Sequence, residues 1–251
     1  KHEVDFAACA RRAKLESNPL AKARWFYNYL QVLDRETELT RRADAVICLT
    51  DVDAEALGRF CPFVPVHVIP TGVDLEYFRP ADRPPEEPRL VFVGAFQHWP
   101  NVDAMYYFCR EVLPLVRAQR PDVELLIVGS RPTPRVTSLS EIPGVTVTGW
   151  VPDIRPFMAR SSVYVVPVRL GMGLRGKVLE AWSMRMPVVS TSVGCAGLRC
   201  EHGGNILVAD SAADFASRIV SLFADPSLRH KLGEEGRKTA ERYYGWERPA
   251  Q

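Results

Sequence analysis

The chain has 251 residues, 47% hydrophobic and 25% charged, with a formal net charge of +2. That length holds one large domain, or one domain plus part of another. So balanced a charge excludes a field strong enough to recruit nucleic acid or an anionic membrane surface. No apolar run is long enough to span a bilayer, and the opening KHEVDFAACARRAK lacks the apolar core of a signal peptide. The chain opens on Lys1 rather than Met, which reads as a fragment or a processed chain. Cys9, Cys48, Cys61, Cys109, Cys195 and Cys200 stand singly, without C-x-x-C spacing. That usage reads as reduced thiols of a cytoplasmic protein rather than a zinc site.

Residues 18–42 contain no glycine and are rich in Leu, Glu, Arg and aromatics, which predicts a long helix. ADAVICLT (43–50) reads as a buried strand, followed by a short helix capped by Asp51 or Asp53 and ending near Phe60. PVHVIPTGVD (65–74) reads as a strand leaving through a turn at Pro70 and Gly72. The stretch 79–88, charged and rich in proline, is the expected linker. Strands and helices then alternate. Strands are expected over 89–96, 123–130, 144–151, 162–168 and 187–193. Helices are expected over 101–120, 154–159, 177–186, 212–224 and 227–244. This alternation predicts an α/β fold: a Rossmann-like parallel sheet with helices on both faces and right-handed crossovers. Ligands bind such sheets at the carboxyl ends of the strands. The ligand-facing stretches are therefore 94–99, 129–132, 149–153 and 168–177.

Gly94 follows the first of these strands, where a glycine lets a ligand approach the backbone, although a plain tight turn needs one too. GAFQHWPN is not a dinucleotide fingerprint, because the second and third glycines of G-x-G-x-x-G are absent. RLGMGLRGKVLEAW (169–182) carries most of the chemistry. Gly171, Gly173 and Gly176 loosen a loop after a buried strand, and the next helix offers unpaired N–H groups and a positive dipole end. Arg175 and Lys177 oppose that dipole. A bound diphosphate would relieve the conflict, and solvation as ordinary surface charges is the other reading. Glu180, one turn on, could accept from two ribose hydroxyls or pair with Lys177 or Arg175. His98 beside Gly94 could contact a sugar or a phosphate. No paired carboxylates are spaced for hydrolysis and no nucleophile motif stands out.

These segments together resemble retaining glycosyltransferases of family four (GT-B fold, glycosyl transferases group 1), over nearly all of 43–247. VHVIPTGVDLEYF resembles the family's interdomain segment, with Thr71 where Asn is usual. VFVGAFQHWPNVDAMYYFCREVLPLVRAQRPDVELLIVG resembles the opening of the C-terminal donor-binding domain. VTGWVPDIRPFMARSSVYVVPVRLGMGLRGKVLEAWSMRMPVVSTSVGCAGL resembles its central signature, and LRHKLGEEGRKTAERYYGWE its closing helices. The resemblance implies four parts. Residues 1–78 are a remnant of the N-terminal, acceptor-side domain and interdomain segment, and 79–88 the linker. Residues 89–243 are the donor-binding domain, and 244–251 begin the return toward the N-terminal domain.

It also implies a UDP-, GDP- or similar nucleotide-sugar donor. Arg175 and Lys177 would stabilise the leaving diphosphate. Gly94, His98, Gly129, Trp150, Val151, Gly173, Leu179 and Glu180 would line the donor, with the base near Trp150 and Val151 and the ribose on Glu180. No metal and no cofactor are expected, because basic residues and a helix dipole carry the leaving group's charge. The other partners are a glycan or lipid-linked acceptor and the missing N-terminal domain, without nucleic acid. The expected place is the cytoplasm, with peripheral association at the inner face of the membrane through the missing domain. Two departures from the family pattern stand out: Met172 lies where an acidic residue that helps hold the donor sugar is usual, which bears on sugar identity, and 95–99 lack the usual basic residue. The implied function is sugar transfer in cell-surface polysaccharide assembly. This fragment alone is expected to bind donor without transferring it. A UDP-sugar 2-epimerase of the same fold and a non-catalytic nucleotide-binding module are the competing readings.

Overall fold

The structure, a computed structural model, describes residues 4–81, 87–170 and 176–246. The chain divides into two compact units, the first running to Thr71 and the second opening at Gly72.

The first unit holds helices α1 (Asp5–Leu15) and α2 (Pro19–Arg41), strand β1 (Val46–Cys48), helix α3 (Asp51–Gly58) and strand β2 (Val66–Val68). The long helix expected over 18–42 is α2. Its start is written in Asn18-Pro19: the Asn18 side chain accepts from the amides of Leu20 and Ala21, and proline suits the first helical position. The cap of α3 is not Asp51 or Asp53 but Thr50. Thr50 has the extended backbone a cap requires, and its hydroxyl accepts from the Asp53 amide at 3.1 Å. The two aspartates lie inside the first turn, where their charge suits the helix dipole. Buried Glu36 of α2 accepts from the amides of Asp5 and Phe6, satisfying the start of α1. β1 and β2 pair in parallel over a small core of Val4, Phe6, Cys48 and Leu57.

The second unit is one parallel sheet wrapped in helices. In chain order it runs β3 (Arg89–Val93), α4 (Trp99–Tyr107), a π-turn (Phe108–Val112), α5 (Leu113–Arg117), β4 (Glu124–Val128), α6 (Pro134–Thr137), a 3-10 turn (Ser138–Glu141) and β5 (Val145–Gly149). It continues through α7 (Arg155–Ala159), β6 (Val163–Val166), α8 (Gly176–Ser183), β7 (Val188–Ser190), β8 (Leu207–Val208), α9 (Ala212–Ala224) and α10 (Pro226–Tyr243). The sheet order is β5-β4-β3-β6-β7-β8, with every pairing parallel. Strands buried on both faces read as continuous apolar runs, and VYVV of β6 is buried throughout.

The single helix expected over 101–120 is broken by the π-turn. Pro114 has no N–H to give and its ring crowds the carbonyl four residues back, so the chain widens there by one residue per turn. α9 and α10 match their expected spans closely, each started by a side-chain cap: Ser211 accepts from Asp214 N, and Asp225 from Leu228 N. α10 lies along α8, where Gly236 leaves room for the Trp182 indole and Gly233 for the Arg185 carbonyl. Buried Trp182 in turn donates to Asn205 O at 2.9 Å.

The segment just ahead of the proline-rich 79–88 stretch belongs to this second unit. Val73 is buried in its core, and the Arg237 guanidinium donates to the carbonyls of Leu75, Phe78 and Ser183. Val73 also donates to Tyr244 O at 2.7 Å and bridges Gly245. The end of α10 is thereby tied to the start of the unit. Among the described residues no helix is long and apolar enough to cross a membrane.

Candidate functional site

The strand order reverses between β3 and β6: the chain winds outward through β4 and β5 on one side, and through β7 and β8 on the other. The crevice at the carboxyl ends of β3 and β6 is therefore the topological switch point, where open α/β sheets bind ligands. The two stretches with most of the expected chemistry, after Gly94 and before Glu180, lie on its two sides.

On the first side the loops are locked by backbone. Gly94 donates to Val128 O and Phe96 to Ser130 O, while Gly129 donates to Gly149 O at 3.2 Å. Gly129 has φ +150°, and a Cβ there would overlap the Gly94 carbonyl oxygen and stand 2.8 Å from its carbon. Glycine is required at 129 because two loops touch, and Gly94 is pressed in turn against Asn101 and Phe92. His98 is exposed and precedes α4 without a side-chain cap. Trp150 is 72% exposed. It follows Gly149, whose φ of +70° turns the chain at the end of β5. Val151 is half-buried against the core.

On the second side α8 starts at Gly176, with Lys177 in its first turn. The Lys177 ammonium does not point away into solvent. It donates to Asn101 Oδ1 at 2.7 Å and lies 4.2 Å from the centre of the Phe92 ring. Glu180 is half-buried one turn later. Burial raises its carboxyl above the ordinary range, and Lys177 partly offsets this. Leu179 is fully buried, so its side chain belongs to the core and only its backbone could meet a ligand. Arg175 and Gly173 lie outside the described residues, as does Met172.

Asn101 was missed by sequence reasoning. Its only local signal is a polar residue in the first turn of a helix, which side-chain hydrogen bonding explains as well as function does. The pairing of Arg169, three residues past β6, with Asp103 is also new. The guanidinium grips both Asp103 carboxylate oxygens, the nearest at 3.0 Å, and stacks 4.0 Å from the Tyr107 ring. It roots the strand end against α4, and the sequence separation between Asp103 and Arg169 hides the pair.

Glu180 carries a stability signature. A carboxyl whose folded pKa is raised contributes stability below its unfolded pKa, and loses it as pH rises through the folded value. Glu180→Gln should therefore melt at or above wild type at pH 7, and the advantage should shrink or reverse near pH 4. Thermal unfolding at both pH values checks this. A variant less stable by the same margin at both would show that the carboxylate is structurally satisfied.

A family model described as Glycosyl transferases group 1 matches residues 87–225. The chain belongs to this family. Among individual relatives, the D-inositol 3-phosphate glycosyltransferase of Streptomyces bingchenggensis is 28% identical over 243 residues, covering 86% of this chain and 52% of that protein. The lipopolysaccharide core biosynthesis mannosyltransferase LpcC of Rhizobium leguminosarum bv. viciae is 28% identical over 230 residues, covering 84% and 63%. The chain thus spans about half the length of the curated relatives it matches. Among solved structures, sucrose-phosphate synthase from Thermosynechococcus elongatus superimposes with a TM-score of 0.69 at 25% identity, covering 86% of this chain and 58% of that one. Anabaena Alr3699/HepE, solved with UDP and glucose, gives a TM-score of 0.71 at 16% identity, covering 86% and 63%. These likenesses bear out the α/β, GT-B-type fold read from the sequence.

Proposed function

We propose that this glycosyl transferase chain binds the nucleotide-diphosphate sugar of a retaining, family-four-type hexosyl transfer to a glycan or lipid-linked acceptor in cell-surface polysaccharide assembly. The carrying observation is the position of Lys177: a cation in the first turn of α8, at the sheet's switch point, turned toward the Gly94 loop. Free N–H groups at a helix start and an adjacent ammonium form an anion site. A diphosphate there would gain charge as the sugar departs, and Lys177 with Arg175 would stabilise it. Glu180, kept half-buried against the cost of desolvation, would accept from ribose hydroxyls. The base would rest near Trp150 and Val151, with Gly94, Gly129, Gly173 and His98 around the diphosphate and sugar. That one relative is named for lipopolysaccharide core biosynthesis supports the acceptor class. The same reading places the protein in the cytoplasm, meeting its acceptor at the inner membrane face.

The transfer is proposed to need no metal. Among the described residues no three His, Cys, Asp or Glu side chains gather as a metal-ligand group, and the cations named above can carry the leaving charge. A thermal-shift panel of UDP- and GDP-sugars, with and without EDTA, tests both ideas. Ligand at a hundredfold over Kd stabilises by about 2.7 kcal/mol, a shift of several degrees. No shift with any nucleotide sugar would reject the donor role, and a shift lost in EDTA and restored by magnesium would reject metal independence.

A further inference from the structure

We infer that Asn101 is a positioning residue for donor binding, acting through Lys177. This rests on the donor-site reading above. The Asn101 amide bridges the two sides of the switch point. Its Oδ1 accepts from Lys177 Nζ at 2.7 Å, and its Nδ2 donates to Ala95 O at 2.8 Å. One planar group thus ties the first turn of α8 to the loop after β3. These elements are far apart in sequence and belong to opposite halves of the sheet.

Three features show that the site is built around this amide. Gly94 is the residue pressed on it: a Cβ there would come to 2.9 Å from Nδ2 and 3.0 Å from Cγ. Pro100 and the Asn101 amide nitrogen, which donates to His98 O, fix the first turn of α4 from which the side chain projects. The Phe92 ring lies beneath the ammonium, so an aromatic face and an amide oxygen together define where the charge sits. The amide oxygen and the ring that hold the ammonium are uncharged, and the Glu180 carboxyl one turn on also feels its charge. A carboxylate in place of Asn101 would pair with Lys177 and spend its charge inside the protein. An amide orients it without adding a negative charge beside it. Asparagine is therefore the fitting choice: acceptor toward lysine, donor toward the loop, and neutral.

The test is a double-mutant cycle on the 251-residue chain, using calorimetry with UDP and GDP against uridine and guanosine and a thermal melt of each variant. Asn101→Ala should weaken diphosphate binding about tenfold, a loss of one charge-assisted contact's order. Nucleoside affinity should stay put. Because Asn101 acts through Lys177, Asn101→Ala with Lys177→Ala should bind no worse than Lys177→Ala alone. Asn101→Asp keeps the oxygen and adds a negative charge, so it should lose diphosphate affinity while melting near wild type. If Asn101→Ala does not fold, Asn101→Asp decides alone. Wild-type diphosphate affinity in Asn101→Asp, or additive losses in the cycle, would overturn the role of Asn101 while leaving the donor site standing. Failure of the parent chain to bind any nucleoside diphosphate, or an unchanged Lys177→Ala, would overturn the donor reading and this inference with it.

Discussion

Gly129→Ala should be the most damaging single-methyl change in the second unit. The alanine Cβ would overlap the carbonyl oxygen of Gly94, and both partners are backbone at the ends of adjacent central strands. A flexible side chain could swing aside, but a paired strand end cannot. Overpacking costs about 1–3 kcal/mol, and a non-glycine residue at a left-handed φ adds about 1–3 kcal/mol more. The expected loss is therefore about 2–6 kcal/mol, read in urea unfolding as a lower midpoint with an unchanged slope. Gly149→Ala is the matched control. It also has positive φ, yet a Cβ there meets nothing within 4 Å, so it should cost only the strain, about 1–3 kcal/mol. Equal losses at 129 and 149 would mean that contact with Gly94 is not the cause.

Lys177→Ala should cost at least about tenfold in affinity for UDP or GDP and leave the nucleosides unaffected. A hydrogen bond to a charged group is worth about 1.5–3 kcal/mol. The lysine reaches the switch-point crevice held by Asn101 and Phe92, so its charge arrives pre-oriented. Lys177→Arg should recover only part of the affinity, because the planar guanidinium replaces a point charge that fits over one ring. Calorimetry decides the matter: matching losses for uridine and UDP would remove the diphosphate role from Lys177. The two effects are separable, since Gly129→Ala acts on stability and Lys177→Ala on binding.

The sheet was legible because buried parallel strands announce themselves. LVFV, LLIV and VYVV are apolar runs with no alternation, and each strand was expected within a few residues of where it lies. Two late helices were equally plain: 212–224 and 227–244 were expected, and α9 and α10 lie there, started by caps at Ser211 and Asp225 that the structure adds. What stayed hidden was of two kinds. One was local choice among similar signals. Thr50, Asp51 and Asp53 can all cap, and only backbone conformation selects Thr50. The other was pairing at long range. Lys177 with Asn101 and Arg169 with Asp103 join residues that only the strand order brings together. Glycine-rich loops and cations at a helix start are visible in the sequence, while the neutral amide that bonds one of those cations carries no signal of its own.

The strand order also sets how this sheet is assembled. β3 matches β4 at five positions, but meets β6 at only two, Leu90 with Val163 and Val91 with Tyr164. That short seam closes the longest stretch of chain of any pairing in the sheet, and the entropy cost of loop closure rises with span while only two residue pairs offset it. The two wings, β3-β4-β5 and β6-β7-β8, can each condense from near neighbours, and joining them is the non-local event that folding must wait for. The Asn101–Lys177 bond straddles the same join from above. Any anion gripped from both sides would act as a clasp across the longest-range seam of the sheet.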